Sequence, residues 1–140
     1  MEDSVKTAEA IRKTKKPKVK TKNWISAVLV MTMIFVFSST SGKTIEDVGL
    51  GNEAYHIGGH FVLFIILCFS FYKATKNLLL SILLTILYAV FDEIHQLFVP
   101  LRSASLKDIL TDTAGSFLSG GILWKLQHLL PQKLKNWLNN

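Results

Sequence analysis

Four acidic residues interrupt the apolar stretch between Ala89 and Gly121, two on either side of a short break at residues 100–105. They are Asp92, Glu93, Asp108 and Asp112. A carboxylate inside a long apolar segment costs roughly 2.5–3.5 kcal/mol at a bilayer centre on insertion scales, so it usually has a partner and a purpose. Acids grouped in this way can exchange protons with a substrate, bind a cation or relay protons.

Other polar residues stand among or near these acids: His60, His95, Gln96 and Arg102. Imidazole and carboxylate groups together are possible ligands for a divalent cation, which makes such a cation the candidate cofactor. A guanidinium clamps carboxylate or phosphate with two parallel hydrogen bonds. Arg102 could serve one acid or a lipid phosphate but hardly all four acids, so the surplus negative charge indicates protonated acids, a bound cation or both.

Each of these residues also has a purely structural interpretation. Asp92 and Glu93 could lie at the membrane interface, with one in water and the other paired with Arg102. Asp108 suits the first turn of a helix, where the dipole favours a negative charge. His60 could equally be a capping or interfacial histidine. The recurrence of acids, histidine and glutamine on neighbouring faces favours a functional site over these alternatives.

The composition indicates a membrane protein that fits in one domain. Of the 140 residues, 49% are hydrophobic and 19% charged, yet the net charge is +6 because 8 of the 16 Lys and Arg precede Trp24. Such asymmetry is typical of a membrane protein with a basic tail. The single cysteine, Cys68, excludes an internal disulfide and a multi-thiolate metal site.

Residues 1–23 predict a basic, disordered cytoplasmic tail, because they contain almost nothing that could bury apolar surface. Anionic lipid headgroups are the expected partner of this tail, at about 1 kcal/mol per basic residue. A nucleic-acid-binding arm is the other interpretation of such a run. Its position directly before an apolar segment favours the membrane surface, so no nucleic-acid partner is expected.

Four apolar segments predict four transmembrane helices in an all-α bundle over residues 24–126. They cover residues 24–37 with a possible extension to Thr40, 59–72, 78–99 and 106–126, and a polar loop is predicted over residues 42–58. The small residues after the first segment also fit a secretory signal peptide. The long leader and the further apolar segments favour an uncleaved span instead.

The distribution of basic residues predicts the orientation. With a cytoplasmic N-terminus, thirteen Lys and Arg fall on the inner side and three on the outer side. This bias predicts a multi-pass plasma-membrane protein with both termini cytoplasmic. Residues 127–140 would form a short C-terminal cytoplasmic tail, with an amphipathic end on the membrane surface as one interpretation.

This topology brings the polar residues to the outer leaflet, where they form a candidate polar cavity with Arg102 in the adjoining loop. Asp92, His95 and Gln96 share one helical face, with Glu93 about 100° away. In the fourth segment, Asp108 and Asp112 begin a stripe that ends in small residues suited to close helix packing. Those small residues are Gly115, Ser119 and Gly120.

The order of these residues resembles the VanZ-like family of bacterial membrane proteins over about residues 25–121. The pattern reads His60-Phe61, then Asp92-Glu93-x-x-Gln96-x-Phe98-x-Pro100-x-Arg102, then Asp108-x-x-x-Asp112-x-x-Gly115. The resemblance implies a charged signature at His60, Asp92, Glu93, Gln96, Arg102 and Asp108. The chain departs from the pattern at Ile57, where lysine is frequent, at Leu63 and Phe64, where an acid and tyrosine are frequent, and at Asp112, where asparagine is common.

Three functions are compatible with these features. The family takes its name from a member associated with low-level teicoplanin resistance, which implies a cell-envelope protein that binds a glycopeptide antibiotic or alters its lipid-linked cell-wall precursor. An intramembrane enzyme acting on lipid headgroups or lipid-linked sugars is the alternative, although D-E-I-H-Q does not reproduce the H-E-x-x-H metal motif. A small proton- or cation-coupled transporter is the third.

Overall fold

A computed structural model describes residues 21–40, 53–100, 105–125 and 129–139, apart from the side chains of residues 53–57 and 139. Within these ranges the chain is all-α, with no strand, as the sequence predicts. A 3-10 turn at Thr21–Asn23 precedes five α-helices. These are α1 (Trp24–Ser38), α2 (Glu53–Thr75), α3 (Leu78–Gln96), α4 (Leu106–Lys125) and α5 (Gln132–Asn139). Residues 1–20 of the predicted tail, the loop residues 41–52 and Arg102 lie outside the described residues.

Three helical segments among the described residues are long and apolar enough to cross a membrane: Thr21–Ser38, Gly58–Thr75 and Leu78–Gln96. Helices suit this environment because each satisfies its own backbone hydrogen bonds. The fourth predicted span, α4, has a suitable length, but charged residues at both of its ends and in its second turn lower its apolarity. Those residues are Lys107, Asp108, Asp112 and Lys125.

The apolar helices leave large hydrophobic side chains uncovered. Leu29 of α1 is 62% exposed and Leu79 of α3 is 78% exposed, and similar residues follow along both helices. A water-soluble monomer rarely presents so much contiguous apolar surface. This outer surface is therefore suited to lipid.

The bundle is built around α2, which packs against α1, α3 and α4, while α4 also packs against α3. Aromatic and aliphatic side chains form its core: Ala27, Ile34, Phe64, Leu67, Phe71, Tyr88 and Ala89. The Tyr88 hydroxyl donates to the Met31 carbonyl at 2.6 Å and so links α3 to α1. Because α4 packs against α2 and α3, which are both long and apolar enough to span a membrane, its polar residues on those sides contact protein.

Small residues allow α4 to approach its neighbours closely. A Cβ atom at Gly115 would lie 3.1 Å from the Phe61 carbonyl oxygen of α2. One turn later, the Ser119 hydroxyl is 3.3 Å from the Ile65 carbonyl oxygen, to which it donates. Gly120 faces the other neighbour, since a Cβ atom there would lie 2.6 Å from the Ile82 methyl of α3.

A two-residue turn makes α2 and α3 antiparallel. Lys76 has φ 54°, in the left-handed region, and its N–H donates to the Tyr72 carbonyl at 2.8 Å. The Asn77 side chain then caps α3 by accepting from the Leu80 N–H at 3.1 Å. The tight turn sets the first half of α2 beside the last turns of α3.

Two predicted boundaries differ from the structure. The loop predicted over residues 42–58 is wrong in its last six residues, which belong to α2. These residues include Gly58, which Gly59 follows, but a glycine costs a helix only about 1 kcal/mol relative to alanine. At the other boundary, α3 ends at Gln96 rather than Val99, because the Pro100 ring would clash with the Gln96 carbonyl of a continuing helix.

The C-terminal residues form α5, which packs against α2. Leu138 is fully buried, and the Lys73 ammonium lies 4.2 Å from the centre of the Trp137 ring. The Lys76 ammonium donates to the Leu138 carbonyl. The segment predicted as a short tail thus contains a helix docked at the end of α2.

Candidate functional site

Each of the helices α1 to α4 contributes buried polar side chains to one end of the bundle. The group, termed here the polar cluster, consists of Ser38, His60, Asp92, Gln96 and Asp112. Ser38 ends α1, and Asp92 and Gln96 are one turn apart at the end of α3. Antiparallel packing brings the beginnings of α2 and α4 to the same level. The site therefore depends on all four helices.

Asp92 is the centre of the polar cluster. Its side chain is only 1% exposed. One oxygen, Oδ2, accepts hydrogen bonds from the Ser38 hydroxyl at 2.7 Å and from the Gln96 amide at 3.0 Å. These two hydrogen bonds join α1 to α3 through one carboxyl group.

His60 lies between two acids from different helices. Its Nδ1 atom is 3.8 Å from Asp92 Oδ2 and 3.7 Å from Asp112 Oδ2. A protonated imidazole would attract both carboxylates and so join α2 to α3 and α4. Phe64, one turn further along α2, stacks on the ring at 6.1 Å between centroids and limits its movement.

Three buried carboxylate oxygens have no hydrogen-bond partner among the described residues: Asp92 Oδ1, Glu93 Oε1 and Asp112 Oδ1. An unsatisfied buried acceptor costs roughly 1–3 kcal/mol, and more if it is charged. Such groups call for an explanation in a native structure. All three can accept a proton, an N–H or O–H donor, or a cation.

Glu93 connects the polar cluster to the start of α4. It is 3% exposed, and its Oε2 atom accepts the Ser105 N–H at 2.8 Å. Ser105 precedes α4, and its carbonyl accepts from the Asp108 N–H at 3.0 Å. Glu93 thus fixes the first turn of α4, and it lies within electrostatic range of Asp92, Asp108 and Asp112.

Two further candidate residues, His95 and Asp108, lie outside the polar cluster. His95 is partly exposed, with Nε2 2.9 Å from the Ser39 hydroxyl and its ring stacked on Phe35 at 4.3 Å, so it contacts α1 instead of His60. Asp108 is partly exposed in the first turn of α4. Arg102 falls outside the described residues.

Ser38 is the member of the polar cluster that sequence reasoning missed. It belongs to the small polar run after the first apolar segment, which fits a helix extension and, less well, a cleavage site. The available signal was its hydroxyl at the end of an otherwise apolar helix. A polar group there is more easily accommodated when it donates to a buried acceptor.

The described residues contain no group of three or more His, Cys, Asp or Glu side chains arranged to hold a metal ion. His60 has two acids close by, whereas His95 is turned toward α1. The two histidines therefore do not converge as ligands of one cation.

A comparison with protein-family models places the chain in a family. The family model VanZ/LLP1 matches residues 23–128, a range that includes α1 to α4 and the whole polar cluster. Neither a search of curated proteins nor a search of solved structures finds a match. The matched range covers most of the chain, and with its apolar helices the chain is a membrane protein that belongs to the VanZ/LLP1 family.

Proposed function

We propose that this chain is a multi-pass plasma-membrane protein of the bacterial cell envelope that lowers susceptibility to teicoplanin-type glycopeptide antibiotics. Its working part would be the polar cluster, held near the outer surface by four membrane-spanning helices with both termini cytoplasmic. Membership of the VanZ/LLP1 family supports the membrane setting. The observation that carries the proposal is the convergence of His60 with Asp92 and Asp112 at one end of the bundle.

The outer position of this site is supported by the lysines at the other end. Lys73 and Lys76 lie at the turn between α2 and α3, and Lys125 ends α4. Membrane proteins retain such basic residues on the cytoplasmic side. The acids would then face the outer leaflet, where a glycopeptide meets its lipid-linked target.

The participation of α4 as a fourth span is supported by its packing. Its charged side chains cost free energy in lipid, but Asp112 is 1% exposed and lies beside His60 rather than on the outer surface. Intramembrane acids are tolerated where they face the bundle interior and have partners. Lys107 and Lys125 are near the helix ends and can extend toward the headgroups.

The chemistry proposed for the site is acceptance of hydrogen-bond donors or of a cationic group. The unpartnered oxygens of Asp92, Glu93 and Asp112 supply acceptors. Amine and amide groups of an antibiotic, or of a lipid-linked cell-wall precursor, are donors of the required kind. Arg102 would add a planar clamp for a carboxylate or phosphate of the same ligand.

The proposal predicts that Asp92→Asn abolishes protection. An amide can keep the hydrogen bonds of Ser38 and Gln96, but it places an NH₂ donor where the unpartnered Oδ1 acceptor stood. Abundance should remain near normal, because neutralising a buried acid lowers its desolvation cost. The measurement is teicoplanin susceptibility of a sensitive bacterium producing each variant, with membrane abundance determined in parallel.

Lys107→Gln is the matched control, since it changes one charge at the same end of the bundle at an exposed position. It should protect as well as the unaltered chain does. Full protection by Asp92→Asn at equal abundance would contradict a role for the polar cluster. Absence of protection by the unaltered chain would reject the antibiotic function itself.

An intramembrane enzyme acting on lipid headgroups or lipid-linked sugars is the second candidate. It is favoured by one geometric feature: an imidazole about equally distant from two carboxylates. Such a group can give and take protons when its neighbours differ in proton affinity. Release of headgroups or sugars by purified protein, lost in Asp92→Asn, would support this function over binding alone.

A further inference from the structure

The end of the bundle opposite the polar cluster carries a concentration of positive charge. It contains every described lysine except Lys107, whereas every described acidic side chain lies at the other end. The group, termed here the basic face, consists of Lys22, Lys73, Lys76, Lys125, Lys133 and Lys135. Three helices, the α2–α3 turn and the turn before α1 contribute to it, so it is a property of the folded bundle.

All three tryptophans of the chain lie at the same end. Trp24 begins α1 and meets Phe71 edge-on at 6.2 Å, while Trp124 is 72% exposed at the end of α4. Trp137 is in α5. Tryptophan concentrates at the level of lipid headgroups, where its ring is partly in hydrocarbon and its N–H is wet.

Two lysines are held against these rings. The Lys73 ammonium lies 4.2 Å from the centre of the Trp137 ring, and the Lys125 ammonium lies 4.9 Å from that of Trp124. A cation over an aromatic face is attracted by the ring quadrupole. These contacts keep positive charge at the depth of the indole rings, which is also the depth of lipid phosphates.

From this arrangement we infer that the basic face, with α5 as its outer wall, is a binding surface for anionic phospholipid headgroups. The charge complementarity is direct, because every described acidic side chain lies at the opposite end of the bundle. Lys133 and Lys125 are exposed there. The site belongs to the folded domain and is separate from the basic residues of 1–20.

The inference also assigns a purpose to α5. This eight-residue helix is too short to be stable alone, yet Leu138 is buried against the bundle and its carbonyl accepts from Lys76. Docking α5 in this position adds Lys133 and Lys135 to the lysines of the α2–α3 turn. The helix thereby completes a positive surface around the tryptophans.

The test is lipid selectivity measured through the tryptophans themselves. Full-length protein is reconstituted in symmetric vesicles of phosphatidylcholine and phosphatidylglycerol in which one of the two lipids carries brominated chains. Because all three tryptophans lie at the basic face, quenching reports the lipid bound there, whichever way the protein is inserted. We expect phosphatidylglycerol to bind at least about threefold more tightly than phosphatidylcholine. A single lysine near the surface contributes about 1 kcal/mol, or about fivefold, so a preference of this size is within reach of the basic face.

Three variants separate the basic face from other charges. The triple variant Lys125→Gln, Lys133→Gln, Lys135→Gln should bring the ratio close to one, and Lys107→Gln should leave it unchanged. Removal of residues 2–20 should preserve it. The inference would be overturned if the unaltered chain gave a ratio near one. It would also be overturned if the triple variant kept the preference for phosphatidylglycerol, or if removal of the tail abolished it.

Folding is checked by helix content for each variant. Lys73 and Lys76 are left intact, because they contact α5 directly. If the triple variant fails to fold, Lys125→Gln alone replaces it, since this residue is exposed and lies outside α5. A clear decrease in the ratio is expected for that single change as well, and an unchanged ratio would count against the basic face.

Discussion

Asp112 occupies a position where the VanZ-like pattern commonly has asparagine, and in this chain it lies 3.7 Å from His60. The acid adds a second carboxylate beside one imidazole, so His60 cannot neutralise both neighbours even when protonated. Asp92 has two further donors, Ser38 and Gln96, which Asp112 lacks among the described contacts. The two acids therefore differ in how many hydrogen-bond donors their carboxyl groups meet.

This difference predicts that Asp112→Asn keeps the protective function and stabilises the fold. The amide oxygen can still face His60, while an ionisable group that is buried with few donors is removed. Burying a carboxylate costs several kcal/mol of desolvation, and a gain of about 1 kcal/mol is expected from removing this one. The measurements are teicoplanin susceptibility and unfolding of the purified protein in detergent.

Asp112→Leu is the informative comparison, because it removes the charge and the acceptor together. It should reduce protection, since His60 loses one of the groups that orient it. Equal loss of function in Asp112→Asn and Asp92→Asn would show that the two acids are equivalent and would remove the distinction drawn from their hydrogen bonds.

All members of the polar cluster except Ser38 could be proposed from the sequence, but their partners could not. Acids and a histidine in apolar segments are conspicuous because of their cost. Helical spacing placed His95 on the face of Asp92, yet the structure turns it toward Ser39 and Phe35. A face spans about 100°, so spacing alone does not decide which of two adjoining helices a side chain meets.

At the scale of elements, α4 shows how small residues determine which neighbour a helix can approach. A Cβ atom on Gly115 would meet a backbone carbonyl at 3.1 Å, and one on Gly120 would meet a side-chain methyl at 2.6 Å. The backbone of a packed helix cannot move without moving the helix, whereas the Ile82 methyl can rotate away. An added methyl group at Gly120 is therefore less costly than one at Gly115, although its contact distance is shorter.

These contacts predict different effects of alanine along one helix. Gly115→Ala should lower the free energy of unfolding by about 1 kcal/mol, because overpacking of about 1–3 kcal/mol exceeds the gain of about 1 kcal/mol in helix propensity. Gly120→Ala should be near neutral. Gly121→Ala is the matched control, with nothing within 4 Å of its Cβ position, and should be stabilising. Reversible unfolding in detergent measures all three.

A destabilisation by Gly120→Ala larger than that by Gly115→Ala would contradict the assigned packing of α4. It would mean that the α3 side of the helix, with Ile82, is the rigid one. Stabilisation by all three changes would mean that the small residues are not needed for close approach.

The positions of the helices could largely be predicted from apolar segments, since α3 and α4 begin at the predicted residues Leu78 and Leu106. The start of α2 could not, because its first turns are polar and contain paired glycines. Those turns extend the helix from Glu53 and bring His60 into its interior. The docking of α5 was also beyond sequence reasoning, since it depends on contacts with Lys73 and Lys76.

At the scale of the whole molecule, charge is separated along the bundle. The described acids gather at one end, and all described lysines but Lys107 gather at the other. The separation gives the two ends different expected environments: a cytoplasmic surface for the lysines and an outer surface for the acids. Whether α4 crosses the membrane therefore decides the topology, because this helix carries charges at both ends and is less apolar than α1 to α3.

Cysteine accessibility on the two sides of α4 tests this arrangement. Lys107 lies in the first turn of α4 and Lys133 follows the helix; both are exposed, and the native Cys68 is fully buried. In intact cells, Lys107→Cys should react with an impermeant maleimide, whereas Lys133→Cys should react only after the membrane is opened. The unaltered chain is the control, and it should stay unlabelled because Cys68 is enclosed by the bundle.

The pattern of labelling distinguishes the alternatives. Reaction of both cysteines from the same side would mean that α4 does not cross the membrane, and the proposal of four spans would be rejected. Reaction of Lys133→Cys alone in intact cells would reverse the orientation and place the polar cluster on the cytoplasmic side. A glycopeptide outside the cell could not reach it there, so the proposed function would fall together with the orientation.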